Sequence, residues 1–281
     1  MKYILLNLKR FDIPTALGGV NSIAAPKDWA EYIVSSVKAE LESSAGEAEF
    51  SVFFPEAHIL PAKAAGFDRL HIGCQGVCDQ DVAAGGNFGA FTTLRTAKSM
   101  RALGCDCTII GHCEERAYLN GLADAFGGGR EAVDAILNRE ISAAVNAGLK
   151  VLYCVGEKQD EHARVEKVLK KQLDEGLKNV DLSGVIIGYE PLWAIGPGRP
   201  TPTVTEIRNI VRYIKSRVPC PVVYGGGLKE SNAEMIASIP ELDGGLIALT
   251  RFQGEIGFYP EEYLRIIGRY LSCACESTHS N

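Results

Sequence analysis

The chain has 281 residues, with 29 Lys plus Arg against 35 Asp plus Glu, a formal net charge of −6. Apolar residues at 46% and charged residues at 23% are proportions of a folded globular protein, which excludes a disordered or collagen-like chain. The acidic balance argues against non-specific nucleic-acid binding, and no apolar run approaches the ~18 residues that span a bilayer.

Nine cysteines stand at positions 74, 78, 105, 107, 113, 154, 220, 273 and 275. The number is odd, and Tyr3–Leu6 is too short for a secretory segment, so the expectation is a cytoplasmic protein without a disulfide framework. The Cys-x-Cys pairs at 105/107 and 273/275 lack the partner spacing of a zinc site, so no metal is expected.

Taken in chain order, short β-branched and apolar runs predict strands at 3–8, 50–54, 69–73, 107–111, 151–155, 185–189, 221–224 and 245–249. Several are continuous apolar runs, as in parallel strands buried on both faces. Between them lie helical patterns at 27–43, 131–147, 160–177, 204–217 and 260–271. In the first, Trp29, Ile33, Val37 and Leu41 recur at helical spacing, and Thr205 to Arg208 reads as the opening of the fourth. Strand–helix alternation over this length predicts a (β/α)8 barrel of one domain spanning 1–281. An open doubly wound sheet is the rival. No Gly-x-Gly-x-x-Gly follows the first strand, which weakens it.

Barrel enzymes build their sites at the C-terminal ends of the strands. There the sequence places Asn7 and Lys9, His112, Glu190, the run Gly225-Gly226-Gly227, and Thr250-Arg251. A lysine, a histidine and a glutamate from three strands form a proton-transfer set with an added cation. Glu190 beside Trp193 reads as a carboxylate base, or else as a strand-end glutamate in a salt bridge. His112 precedes Glu114 and Glu115, a helix first turn, where a neutral imidazole donating to a substrate oxygen is expected; a structural histidine is the alternative. Lys9 offers charge to an anionic substrate or to an enolate oxygen, with Asn7 placed to fix its side chain. The proline-stiffened ends around Ala194-Ile195-Gly196 describe a hinged lid that excludes water.

Taken together, these segments resemble the triosephosphate isomerase family. The resemblance rests on Asn7-x-Lys9, on Gln75 with Gly89-Ala90-Phe91-Thr92, and on Gly111-His112-x-Glu114-x-Arg116. It continues through Cys154-Val155-Gly156-Glu157, the long run Tyr189 to Gly198, and Tyr224-Gly225-Gly226. It implies an aldose–ketose isomerase acting on a small phosphorylated sugar through an enediol, with no metal or organic cofactor. By resemblance Glu190 takes the proton beside the carbonyl, His112 moves protons at the two oxygens, and Lys9 supplies positive charge. The pairing of a glutamate base with a neutral histidine is the family's established chemistry and comes from the resemblance alone. Gly196 would give a backbone N–H to the phosphate. A homodimer is implied, with Thr92 on the loop that reaches the partner's site.

The chain also departs from the family pattern. Thr93-Leu94 and Glu115 stand where the family has Gly-Glu and an arginine that pair across the dimer. Gly227 replaces a serine. Strand 8 ends Ile247-Ala248-Leu249-Thr250-Arg251 in place of a glycine-rich phosphate loop. Leu249 is expected to crowd the phosphate, while Arg251 reads either as a compensating guanidinium or as a surface ion pair. Loop 1 is longer, about 11–26, and 272–281 reads as a C-terminal tail. Triose phosphate is the first reading of the substrate. A tetrulose phosphate or another small sugar phosphate, and a non-catalytic binding barrel, stand as alternatives.

Overall fold

The computed structural model of the protein describes residues 1–196 and 198–278. The strands are β1 (Lys2–Asn7), β2 (Ala48–Phe54), β3 (Leu70–Cys74), β4 (Cys107–Ile110), β5 (Lys150–Val155), β6 (Val185–Tyr189), β7 (Val222–Tyr224) and β8 (Gly244–Ile247). They form a closed barrel in chain order, with β8 parallel to β1 through Leu5 against Leu246. The expected barrel is therefore the observed one, and strand limits differ from the sequence reading by at most two residues.

Side-chain alternation along each strand divides the apolar residues into two layers. On β1, Leu5 points into the barrel, where it packs with Phe53, Ile109, Leu152, Ile186 and Val223. Its neighbours Ile4 and Leu6 point outward into the larger core beneath the helices. The barrel is thus filled, and a ligand has room only at its ends.

The helices α1 (Trp29–Ser43), α5 (Arg130–Asn146), α6 (Val165–Gly176), α7 (Val204–Arg217) and α9 (Pro260–Thr278) coincide with the predicted patterns. On α7, Ile207, Ile210, Val211 and Ile214 form the buried stripe that its spacing requires. Its cap differs from the expected one. Thr203 is the cap: its hydroxyl accepts the Glu206 N–H at 3.2 Å, and the Glu206 carboxylate accepts the Thr203 N–H at 2.7 Å. The 160–177 pattern begins instead with a 3-10 turn (Gln159–Arg164). The expected tail also changes, because α9 continues through Thr278; positions 279–281 lie outside the described residues.

The sequence reading passed over α2 (Ile59–Ala65), α3 (Ala97–Ala102) and α8 (Ala233–Ala237), which have too few turns to show a period. It anticipated only the first turn of α4 (Cys113–Ala125). Loop 1 folds on itself, with the Asn21 side chain donating to Asp12 O at 3.1 Å and Ala24 O at 2.9 Å. Asp12 in turn accepts from Arg10 at 2.9 Å and lies 3.3 Å from His58 Nε2. Burial opposes its charge, yet these two partners hold the Asp12 carboxyl below its usual range. No helix among the described residues is long and apolar enough to cross a membrane.

Candidate active site

The C-terminal ends of the strands surround a cavity of about 330 Å³. Asn7, Lys9 and Phe11 enter it after β1, His112 and Glu114 after β4, Glu190, Ile195 and Gly196 after β6, and Gly225 and Gly227 after β7. Ala248, Leu249 and Phe252 close it after β8. The proton-transfer set read from sequence therefore meets in one place, and so do all but two of the other expected site residues.

Lys9 sits in the left-handed backbone region, with φ +42°. A non-glycine residue there is strained by about 1 kcal/mol or more, and persists only when its surroundings hold it. The Asn7 side chain does so, since Oδ1 accepts the Lys9 N–H at 3.1 Å. Gln75 Nε2 adds bonds to the Lys9 and Phe53 carbonyls at 3.0 and 3.1 Å. Asn7 thus holds the Lys9 backbone, not the side chain as expected. The ammonium is held elsewhere, 2.6 Å from Glu114 Oε1. Burial opposes the charge on Glu114, but Lys9 beside it keeps that carboxyl below the usual range.

His112 is the N-cap of α4, and its Nδ1 faces the Glu114 N–H at 3.3 Å. A nitrogen that accepts an N–H carries no proton, which assigns the ring hydrogen to Nε2. Nε2 faces Glu190 Oε1 at 3.4 Å.

Glu190 is 2% exposed, and its Oε2 accepts the Cys113 N–H at 2.9 Å. Gly225 packs against its stem: a Cβ on that glycine would lie 2.8 Å from Glu190 Cγ. The alternative of a solvent-exposed strand-end glutamate in a surface ion pair is therefore overturned. Glu157, a residue that the sequence reading gave no role, holds the start of the lid. It is fully buried, and its Oε1 accepts from Trp193 Nε1 at 2.8 Å and from Tyr189 OH at 3.3 Å, with His162 Nδ1 3.0 Å away. The pair Gly156-Glu157 at a strand end was the signal for it.

At the far end of the cavity, Gly196 lies exposed on the lid and Gly227 has φ +87°. A serine at 227 would be strained in that conformation, so the glycine is what this backbone requires. Ala248 and Leu249 line the wall as expected, and Phe252 joins them unforeseen. Arg251 is one of the two site residues that the structure does not bring in. Its Nε and Nη2 lie 2.8 and 2.6 Å from Glu262 Oε1, and its guanidinium carbon sits 3.7 Å from the Tyr259 ring centroid. A guanidinium that is paired and stacked in this way is the surface ion pair of the second reading.

Thr92 is the other residue outside the cavity, on an exposed loop between β3 and α3. Leu94 nearby is 52% exposed. Glu115 turns inward, where its carboxylate accepts the Gly111 N–H and burial pushes it above the usual carboxylate range. Arg116 supports the same loop from behind. It donates to Gly111 O at 2.9 Å and Cys154 O at 3.1 Å, and it pairs with Asp134 at 2.9 Å and Tyr153 OH at 2.9 Å.

The family model described as triosephosphate isomerase matches residues 25–256. A triosephosphate isomerase of Dehalococcoides mccartyi is 32% identical over 236 residues, covering 79% of this chain and 85% of the relative. One from Chlorobium phaeovibrioides is 36% identical over 180 residues, covering 59% of this chain and 67% of the relative. The crystal structure of the triosephosphate isomerase from Bartonella henselae covers 96% of this chain and 98% of its own, with a TM-score of 0.70 at 23% identity, a likeness of fold. By its matched length and its relatives, this chain belongs to the triosephosphate isomerase family.

Proposed function

We propose that the protein is an isomerase that interconverts glyceraldehyde 3-phosphate and dihydroxyacetone phosphate through an enediol. The observation that carries this reading is Glu190, buried at 2% exposure with Oε1 3.4 Å from His112 Nε2. Its Oε2 accepts the Cys113 N–H, and its Oε1 faces the imidazole. A substrate oxygen that entered beside His112 would take the Nε2 hydrogen, with Oε1 close by to remove the proton from the adjacent carbon. His112 then moves protons between the two oxygens. Lys9 offsets the charge that grows on them. The backbone N–H groups of Gly196, Gly227, Ala248 and Leu249 receive the phosphate, and the lid carrying Gly196 excludes water. The reaction needs no cofactor, and the cytoplasm is the setting in which we place it.

The same reading includes a homodimer. The loop with Thr92 carries Phe88 at 88% exposure, and Asn7, Lys9, Gln75 and His112 line a second hollow beside the cavity, into which a partner's loop would fit. Sedimentation at micromolar concentration tests this, and a monomer would remove it. A coupled assay with glyceraldehyde 3-phosphate, run beside four- and five-carbon sugar phosphates, tests the activity. Turnover of a larger sugar phosphate with none of the triose would overturn the assignment of substrate, and no turnover at all would favour a binding barrel.

A further inference from the structure

A second cavity, of about 290 Å³, lies among α4, α5 and α6, and among the described residues it shares none of its lining with the cavity at the mouth. Val133, Val168 and Leu192, buried or half-buried, give it an apolar wall, and Lys158, Arg164, Lys167 and Lys171 give it a basic one. The sequence accounts for the basic wall. Lys167, Val168, Lys171 and Gln172 stand three and four residues apart, so they share one face of α6, while Leu169 and Leu173 are buried on the adjoining stripe. Arg164 directly precedes that helix.

Part of the charge around the cavity is already spent. Arg116 pairs with Asp134 at 2.9 Å, and Lys171 pairs with Glu131. The carboxylate of Glu161, 5% exposed, accepts the Lys158 N–H at 3.1 Å. The side chains of Lys158, Arg164 and Lys167 have no ion-pair partner among the described residues. Like charges at helical spacing repel one another. The wall is thus a local excess of positive charge on a chain whose net charge is −6.

We propose that this cavity binds a phosphate monoester with a small apolar body, the dianion received by Lys158, Arg164 and Lys167 and the body by Val133, Val168 and Leu192. A guanidinium offers a fork of N–H donors and the ammonium groups offer point charges, a set that suits the oxygens of a phosphate. The apolar wall favours an ester over inorganic phosphate. Ligand sites usually run from ~300 to ~1,000 Å³, so this cavity has room for about one ring beside the phosphate. It backs on the catalytic rim. Cys113, whose N–H holds Glu190, lines it from α4, and Leu192 lines it from the start of the lid. Gln172 ties α6 to the end of β5 through both the N–H and the carbonyl of Gly156, each at 2.9 Å. Binding here stands independently of the proposed isomerisation.

The test is isothermal titration of the full chain with phenyl phosphate, inorganic phosphate and phenol, on wild type and on the double variant Arg164→Ala with Lys167→Ala. Both side chains are exposed, so the variant should keep the wild-type circular dichroism spectrum and Tm. The proposed function gives the mouth a phosphate site of its own, so the quantity read is the difference between the two proteins. Wild type should bind one phenyl phosphate per chain at a site that the variant weakens by ~30-fold or more. At that site inorganic phosphate and phenol should each bind at least ~10-fold more weakly than phenyl phosphate. Identical titrations of the two proteins would overturn the site. Equal affinity for phenyl phosphate and inorganic phosphate there would overturn the apolar half of the assignment. A site lost in the variant with no second site remaining would uphold this one and count against the phosphate end of the mouth.

Discussion

Replacing Asp134 by alanine isolates one charge deep in the support of the active site. Arg116 is 8% exposed and Asp134 5%, and the pair meets at 2.9 Å. Burial alone would drive the guanidinium toward its neutral form; Tyr153 and Asp134 hold it charged, above its usual range. Removing Asp134 leaves Nη1 without its acceptor and the charge without its counterion. Breaking one side of a buried ion pair costs about 3–5 kcal/mol. That is a large share of the ~5–15 kcal/mol by which folded domains are stable, and corresponds to ~6–20 °C in Tm at the 2–4 °C per kcal/mol of larger domains. The assay is denaturant unfolding followed by circular dichroism at one fixed protein concentration, because association shifts apparent stability. The double substitution Arg116→Met with Asp134→Leu should recover most of the loss, since apolar replacement of a whole buried pair is often neutral or stabilising. It should not recover kcat, because Arg116 also holds Gly111 O beside His112. A loss below ~1 kcal/mol for Asp134→Ala would refute the reasoning. It would mean that the Gly111 and Cys154 carbonyls satisfy the guanidinium unaided.

Four further outcomes follow from the same geometry. Glu190→Asp withdraws the carboxylate by about 1 Å and should lower kcat by ~100-fold or more in a coupled isomerase assay, with little change in the circular dichroism spectrum. Leu249→Gly should lower the KM for triose phosphate by opening the wall of the anion end; an unchanged KM would place the phosphate elsewhere. Arg251→Ala should leave KM unaltered, because its guanidinium is spent on Glu262 and Tyr259. Glu140 is 8% exposed, its Oε2 has no hydrogen-bond partner among the described residues, and burial, with Glu115 and Asp79 adding, pushes its carboxyl to about 9. The folded state then keeps a proton that the unfolded state releases near 4.5, so this group's contribution falls as pH rises from about 4.5 to 9. Glu140→Gln should therefore stabilise the protein at pH 8 by on the order of 1–3 kcal/mol and leave it unchanged near pH 4. Equal denaturant midpoints of variant and wild type at pH 8 would show that the carboxyl finds a partner in solution.

The barrel was legible in the sequence because strands buried on both faces must be apolar and helices beneath them must show a stripe every three or four residues. Val185–Tyr189 and Val204–Arg217 could be placed to the residue for that reason. The cap at Thr203 escaped notice because a reciprocal pair of hydrogen bonds with Glu206 leaves no apolar mark. The lysine, histidine and glutamate of the mouth could be named because each follows a strand, and in a barrel every strand ends at the same rim.

Pairwise geometry within the rim is another matter, because sequence separation carries no information about side-chain direction. Arg251 stood next to the phosphate end in sequence, yet packing turned it toward Glu262, eleven residues on along the chain. Asn7 was placed near Lys9, but only the left-handed backbone at Lys9 shows that the amide holds the main chain. Glu157 became the anchor of Trp193 because β5 and β6 are neighbours in the barrel. Cys113 illustrates the division most directly. Its backbone N–H meets the carboxylate of Glu190, which lies 77 residues away in the chain. The sequence determined which chemical groups are present and that they share one end of a barrel. Only the closing of that barrel, which sets separate strands within a few ångströms of each other, decided which groups touch.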